Sequence, residues 1–555
     1  MKMTGAELII RLLERQGITT VAGIPGGAIL PLYDALGAST QIRHVLTRHE
    51  QGAGFIAQGM ARASGQAAVC LASSGPGATN LITAIADARL DSIPIVCITG
   101  QVPSAMIGTD AFQEVDTYGL TVPITKHNFL VDRVEELLDV VPRAFRIALS
   151  GRPGPVLIDV PKNIQNATIE VDEWPQPGCA EPAPQPADTA LAAALALIAQ
   201  AQRPILYLGG GVVHAGAAPL ARELAETAGL PTVMTLMALG TLPETHLLQL
   251  GMLGMHGARC TNLALAECDL LIAVGARFDD RATGKVAEFC PNAAIVHIDI
   301  DASELDKIKT AHVALNGDVR EVLGRLLPRL GAQADRRAWL ARIGELKRDF
   351  PLKLDGRHNP RHHYGLIRAT ARAAGPAAIV TTDVGQHQMW AAQAYPLDRP
   401  RQWLTSGGLG TMGFGLPAAI GAALAEPQRP VVCFSGDGSI LMNIQELATL
   451  AEEDLDVKIV LFNNGALGLV HQQQTLFYGG RLNASVFRGQ PDFVRLAQAF
   501  GIRTIDLDAE PDVPDALAAA FAERGPCLIH ATIGLEEKVY PMVPPGAANT
   551  DMIGG

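Results

Sequence analysis

The sequence predicts an α/β protein built from three parallel-sheet domains, and three observations carry that reading. Apolar runs of strand length alternate with amphipathic stretches along the chain, the pattern of parallel sheets covered by helices. The 555 residues are too many for one core and fit about three or four domains. Two compositional breaks then divide the chain. Residues 166–189 contain "EWPQPGCAEPAPQPADT", where Pro175, Pro177, Pro182, Pro184 and Pro186 exclude helix and sheet interior. Residues 331–364 are polar and basic, with "LDGRHNPRHHYG" at their end. The expected domains are therefore 1–165, 190–330 and 365–540, with linkers at 166–189 and 331–364 and a tail at 541–555. No short repeat is visible. The first and third segments are nonetheless similar in size, and both place Gly-rich turns after strands.

The chain begins with "MKMTGAELIIRLLERQG", where Glu7 and Arg11 interrupt the apolar run. That reads as the first helix of a domain, with no signal-peptide plan. No apolar run reaches the length of about 18 residues that a membrane span needs. The net charge of −12 argues against nucleic acid or an anionic membrane as the main partner. The eight cysteines are scattered without a CxxC pair, which fits reduced, buried thiols in a cytoplasmic protein.

In the third segment, "VVCFSGDGSI" runs a strand-like stretch into Gly436-Asp437-Gly438. Alone, Asp-Gly is also an ordinary turn signal. After Gly438, Ile440, Leu441, Ile444, Leu447 and Ala448 fall at helical spacing on one face. "VKIVLFNN" then reads as a buried strand ending on Asn463-Asn464. Ligands bind at the carboxyl edge of open parallel sheets, so Asp437 and Asn464 are expected to meet there. A carboxylate and an amide oxygen suit Mg²⁺, which favours octahedral oxygen coordination completed by phosphate oxygens. The GDG-to-NN spacing resembles the thiamin diphosphate signature. In "LTRHEQGAGFIAQGMARASG", Glu50 follows a short strand at a helix start. Such a carboxylate can simply be favoured by the helix dipole. Beside the signature it becomes the candidate acid/base for the cofactor's aminopyrimidine.

The similarity extends further. "GIPGGAILPLYDAL", "SSGPGATNLITAIADARLDSIP", "GQVPSAMIGTDAFQEVD", "GARFDDRATG", "TTDVGQHQMWAAQ" and "TSGGLGTMGFGLPAAIGAALA" resemble the catalytic large subunit of biosynthetic acetohydroxyacid (acetolactate) synthase. The resemblance covers nearly all of residues 4–555. "LGLVHQQQTLFY" and "VYPMVPPGAANTDM" are most similar to the bacterial isozyme I branch. It implies a pyrimidine-binding first domain, a central FAD-associated domain, and a third domain for the diphosphate and Mg²⁺. It also implies thiamin diphosphate, Mg²⁺, FAD without a net redox part, a homodimer or larger assembly with active sites between chains, and a small regulatory subunit.

Position by position, Glu50 resembles the proton-relaying glutamate, and Gly27, Phe112 and Gln113 resemble residues lining the reacting carbons. Val384, Gly385, Gln386 and His387 resemble the diphosphate-side turn. Gly410, Gly436, Gly438, Ser439 and Gly468 complete the cofactor's surroundings. Met412 is similar to the apolar wedge that bends the cofactor; the alternative is a core filler. Asp437, Asn464 and the Ala466 carbonyl match the Mg²⁺ ligands. For FAD, the resemblance points to Arg152, Gly209, Gly210, Gly211, Thr235, Leu236, Met237, Met255, His256, Arg277 and Asp299. Read from the residues alone, "ILYLGGGVV" is a strand entering a glycine turn that could admit a pyrophosphate, and Asp299 could hold a ribose or cap a helix. Arg281 resembles the arginine that grips the second keto acid's carboxylate, a planar partner for a guanidinium; the alternative is a surface ion pair.

Two departures stand out. Gly465 follows "NN" where the family usually has Glu, and Gln473 stands where many relatives have Trp. The implied activity joins pyruvate to pyruvate or 2-ketobutyrate, giving 2-acetolactate or 2-aceto-2-hydroxybutyrate for branched-chain amino acids. A flavin pyruvate oxidase, an FAD-free catabolic acetolactate synthase and a non-enzymatic nucleotide-binding module are the competing readings. "GTDAFQE" and "FDDR" argue against the oxidase, and Glu50, Asp437 and Asn464 against the module.

Overall fold

The computed structural model describes residues 1–554. It contains three sheets of six parallel strands each, and a two-stranded antiparallel ribbon of Lys2–Thr4 with Thr168–Glu170. The first comprises Thr20–Gly23, Arg43–Leu46, Ala68–Ala72, Ile95–Gln101, His127–Leu130 and Val156–Pro161. Numbered along the chain, these strands lie in the order 2-1-3-4-6-5. The third sheet comprises Ile379–Thr382, Trp403–Leu404, Val431–Gly436, Val457–Asn463, Arg503–Asp506 and Cys527–Thr532, again in the order 2-1-3-4-6-5. The central sheet differs. Its strands Pro204–Leu208, Thr232–Met234, Gln249–Met252, Leu270–Val274, Ala294–Asp299 and Val313–Asn316 run 3-2-1-4-5-6, the dinucleotide-fold order. Strands such as Val431–Gly436 and Leu270–Val274 are buried along their whole length, as two-sided burial requires.

The first and third domains meet through the helix Glu50–Ser64, which packs on the helix Gly415–Ala425. Small residues make this approach possible. A Cβ on Gly59 would lie 2.2 Å from the Ala418 carbonyl, and one on Gly421 2.0 Å from that of Ile56. Phe55 and Phe414 fill the seam edge to face, with centroids 5.4 Å apart.

Beside this seam lies a buried charge cluster. Arg62 donates to Asp91 at 2.8 Å and to Asp87 at 3.3 Å. Asp91 accepts from the Gly407 and Gly408 amides at 3.0 and 2.7 Å. Asp87 accepts from the Ser406 and Thr411 hydroxyls. The first domain thereby grips residues 406–411 of the third. Burial, then the neighbouring Asp91, pushes the Asp87 carboxyl up.

Two expectations need correction. The segment 331–364 holds the helix Arg337–Asp349, whose Trp339, Ile343 and Leu346 are buried in a central-domain core. Its apolar stripe was masked by the surrounding Arg and Lys residues. The helix expected after Gly438 is also broken, into Asp437–Ile440 and Glu446–Glu452. Between them the Asn443 amide donates to the Gly413 carbonyl at 2.7 Å, and Leu441 is 40% exposed.

Seven of the eight cysteines are buried, and all are free. Among the described residues no helix is long and apolar enough to cross a membrane. The tail is docked: Met542 and Val543 are buried, and Val543 donates to the Met255 carbonyl at 2.9 Å.

Candidate active site

The carboxyl ends of the first, third and fourth strands of the third sheet surround one cavity. Val384, Gly385, Gln386, His387, Met412, Gly436, Asp437, Gly438, Ser439, Asn464, Ala466 and Gly468 line it, with Trp390, Phe462 and Leu467 among the others. Asp437 follows Val431–Gly436 and Asn464 follows the adjacent parallel strand Val457–Asn463. Asp437 is 2% exposed, and burial raises its pKa. It accepts from the Gly438 and Gly465 amides at 3.0 and 2.8 Å and from Gln490. Gly465 has a φ of 71°, a conformation in which glycine carries no side-chain penalty. Asn464 Nδ2 donates to Gln386 Oε1 at 3.1 Å, which orients its amide.

The lining suits a diphosphate–metal unit. Carboxylate, amide and main-chain oxygens form a hard donor set, as Mg²⁺ prefers. His387 Nε2 is buried in the cavity wall without a hydrogen-bond partner, and burial pushes its pKa down to about 3. Close approach is built in, because a Cβ on Gly436 would lie 2.8 Å from His387 Nδ1 and one on Gly438 2.7 Å from Leu467. Met412 is half-buried at this wall, not in a core. Gly410 is exposed nearby, its Cβ position 4.0 Å from Val384.

Sequence reasoning missed the group that shapes this wall. Asp383, fully buried, accepts from Val384 and Gly413 amides at 3.0 and 2.7 Å, tying the turn after the first strand to the Met412 loop. Burial raises its pKa to about 6. The "TTD" triplet is the available signal: an Asp ending a buried strand.

The first sheet carries a second cluster. Glu50 opens the helix Glu50–Ser64, and Asn80 Nδ2 donates to its Oε2 at 2.9 Å. Its Oε1 lies beside Gly77, 3.5 Å from where a Cβ would stand. Ser73 and Ser74 hydroxyls beside it are buried without partners. Neither these serines nor Asn80 was singled out from the sequence, although "SSGPGATN" contains all three. Gly27 is exposed with open space at its Cβ position, and Phe112 is 88% exposed. Gln113 has a φ of 61° and packs against Gly75. No residue of the first domain lines the third-domain cavity. The two clusters lie in different domains of the chain.

In the central domain, Gly209 and Gly211 do not leave room for a ligand directly. Their Cβ positions lie 2.1 Å from the Gly275 carbonyl and 2.7 Å from Gly275 Cα. The glycines let the turns after the first and fourth central strands touch at the point where strand order reverses, the usual dinucleotide crevice. Gly210 faces Met237 instead, at 3.2 Å. Thr235 Oγ1 is buried without a partner at this edge, where Leu236 and Met237 begin a short 3₁₀ turn. Arg152 reaches from the first domain to Glu304 and Asp301, at 2.7 and 3.3 Å. Asp299 caps no helix; it accepts from the Asp301 amide at 2.9 Å, and burial lifts its pKa to about 6. Arg277 is half-buried. His256 is buried against the Pro541 carbonyl at 3.2 Å, and burial lowers its pKa to about 4. Orphaned hydroxyl, arginines and crevice together suit a dinucleotide such as FAD.

Arg281 is exposed, 3.8 Å from Asp280, too far for a strong ion pair. Its carbonyl accepts from the Met255 amide at 2.8 Å. Gln473 is half-buried on the helix Gly468–Phe477, whose start lines the cavity.

Comparison with known proteins places the chain in a family. Three family models match: the thiamine pyrophosphate enzyme N-terminal TPP-binding domain at residues 3–120, the central domain at 191–326 and the C-terminal TPP-binding domain at 383–531. The chain is 63% identical to the acetolactate synthase isozyme 1 large subunit of Escherichia coli K12, over 100% of this chain and 98% of that protein. It is 48% identical to the isozyme 2 large subunit of the same organism, over 99% of each. Identity is also 48% to the acetolactate synthase large subunit of Corynebacterium glutamicum, over 99% of this chain and 90% of that one. With that identity along its whole length and thiamine pyrophosphate domains in all three segments, the chain belongs to the acetolactate synthase large-subunit family.

Proposed function

We propose that the chain is an acetolactate synthase whose active centre forms where the Glu50 cluster of one copy meets the Asp437 cavity of another. The observation behind this is the separation of the two clusters: within one chain, no first-domain residue lines the cavity. The reaction releases carbon dioxide from pyruvate and joins the remaining two carbons to pyruvate or 2-ketobutyrate. When bound, thiamine pyrophosphate supplies the carbon nucleophile and holds the electrons that decarboxylation leaves behind.

The residues divide the remaining work. Asp437, Asn464 and the Ala466 carbonyl hold Mg²⁺, and His387 with the glycine turns receives the diphosphate. Met412 fixes the cofactor's shape at the cavity wall, with Asp383 and the Asp87–Asp91 pair holding its loop from both domains. Glu50 exchanges a proton at Oε1, because Asn80 engages Oε2. Gln113, Phe112 and Gly27 border the reacting carbons. Arg281, without a tight ion pair, binds the acceptor carboxylate, and Gln473 contacts its side chain. FAD occupies the central crevice near Arg152, Arg277 and Thr235 without a net redox part.

The relatives' description as large subunits supports a smaller regulatory partner. Two experiments test the reading. Acetolactate formation from pyruvate, run without oxygen or another electron acceptor and with each cofactor omitted in turn, should require thiamine pyrophosphate, Mg²⁺ and FAD. Mixing inactive Glu50→Gln and Asp437→Ala proteins under demonstrated subunit exchange should restore activity at one class of site. Exchange without recovery rejects the shared centre.

A further inference from the structure

Unpaired imidazoles outside the cavity mark a second cluster. The helix His363–Ala374 begins with His363, preceded by His362 at its N-cap. Both rings approach Glu537, whose Oε2 lies 3.6 Å from His362 Nε2 and 3.6 Å from His363 Nδ1. The three ligand atoms all lie within 4.8 Å of one another. Neither 3.6 Å separation is a hydrogen bond. His363 is 2% exposed, and both its ring nitrogens are buried without a partner. Buried polar atoms are rarely left so. The ring is also held in place, stacked on Trp390 with centroids 4.2 Å apart and planes inclined by 26°.

We propose that His362 Nε2, His363 Nδ1 and Glu537 Oε2 form a binding site for one divalent transition-metal ion of the Zn²⁺ class. Two imidazoles and one carboxylate suit Zn²⁺, whereas Mg²⁺ prefers oxygen ligands. Tetrahedral bonds of about 2.0–2.1 Å place ligand atoms roughly 3.3–3.4 Å apart, close to the two 3.6 Å separations from Glu537. The neutral imidazole is the ligating form. Glu537, 39% exposed at its side chain, leaves the fourth position open to water.

The ion joins the start of this helix to the segment that braces the thiamine cavity. Gln386 Nε2 donates to the Glu537 carbonyl at 2.8 Å, and Gln472 Nε2 to that of Val539 at 3.0 Å. The site is structural: it clamps that segment behind Gln386.

The test uses the full chain loaded with thiamine pyrophosphate, Mg²⁺ and FAD, after chelator treatment and return to excess Mg²⁺. Co²⁺ is titrated and read by its visible d–d bands, with Zn²⁺ competition and metal analysis. The wild type should take up one Co²⁺ per chain, displaced by Zn²⁺. His362→Ala and Glu537→Gln should each weaken uptake by about tenfold or more, and both alter partly exposed side chains, so folding should survive and is checked by melting temperature. His530→Ala removes a ring from the separate Asp506–Asp508–His530 group and should leave uptake unchanged. Absence of the bands in wild type, or equal uptake by wild type, His362→Ala and Glu537→Gln, overturns the proposal. So does loss of uptake in His530→Ala.

Discussion

The first and third domains share the strand order 2-1-3-4-6-5, yet equivalent strand ends carry different chemistry. After the second strand, the first domain starts its helix with Glu50. The third reaches Gly415–Ala425 only after the Gly-rich loop that contains Met412. After the third strand, the first domain presents Ser73, Ser74 and glycines, and the third presents Asp437. Topology sets where ligands can sit, and the few residues at strand ends set what each domain does there. The helices after the two second strands bury each other, so one chain uses this face for folding. The proposed sharing of the site between copies fits a face already used in this way.

Breaking the functional asymmetry should give the largest effect. Glu50→Gln keeps Asn80's hydrogen bond but cannot exchange a proton, so cofactor C2 proton exchange should fall by about 10²–10⁴-fold, with binding retained. Near-normal exchange would mean that the first domain supplies no acid/base. Next comes the charged seam. Asp91→Ala leaves Arg62 buried beside Asp87 alone and frees the Gly407 and Gly408 amides, with an expected loss of about 3–5 kcal/mol. Urea unfolding measures it, and a loss under about 1 kcal/mol would show that the seam is not held by this pair.

The glycine contact is smaller. Gly421→Ala sets a methyl 2.0 Å from the Ile56 carbonyl, so the helices must part, at a cost of about 1–3 kcal/mol. An unchanged melting temperature would show that the seam is loose. Gln473→Trp probes the third domain's side of the acceptor pocket. An added aromatic surface should favour 2-ketobutyrate over pyruvate by about 10–200-fold, seen in product ratios at equal substrate concentrations. Wild type should make comparable amounts of both products. A strong wild-type preference for 2-ketobutyrate that the substitution leaves unchanged would place acceptor selection elsewhere. The smallest change is Gly344→Ala, at an exposed position of the helix Arg337–Asp349, which belongs to neither of these two domains. Nothing lies within 4 Å of its Cβ position, so stability should rise by about 0.5–1 kcal/mol. Destabilisation there would mean that this surface is packed against another chain.

The sequence by itself determined the fold class, because periodicity, glycine turns and proline breaks are local consequences of backbone and solvent preference. It also determined the Asp437–Asn464 constellation, since neighbouring parallel strands bring both residues to one edge after a short crossover. Tertiary structure alone decided the rest. The grip of Asp87 and Asp91 on residues 406–411 joins positions more than 300 residues apart. Asn443, in the break of the expected helix, donates to the carbonyl of Gly413 in a distant loop. Gly209 and Gly211 meet Gly275 in the turn after a strand paired with the one they follow, a neighbour that no local pattern announces. Hydrophobic periodicity records which face of an element is buried. It does not record what is buried against that face, and polar partners follow the packing of whole domains.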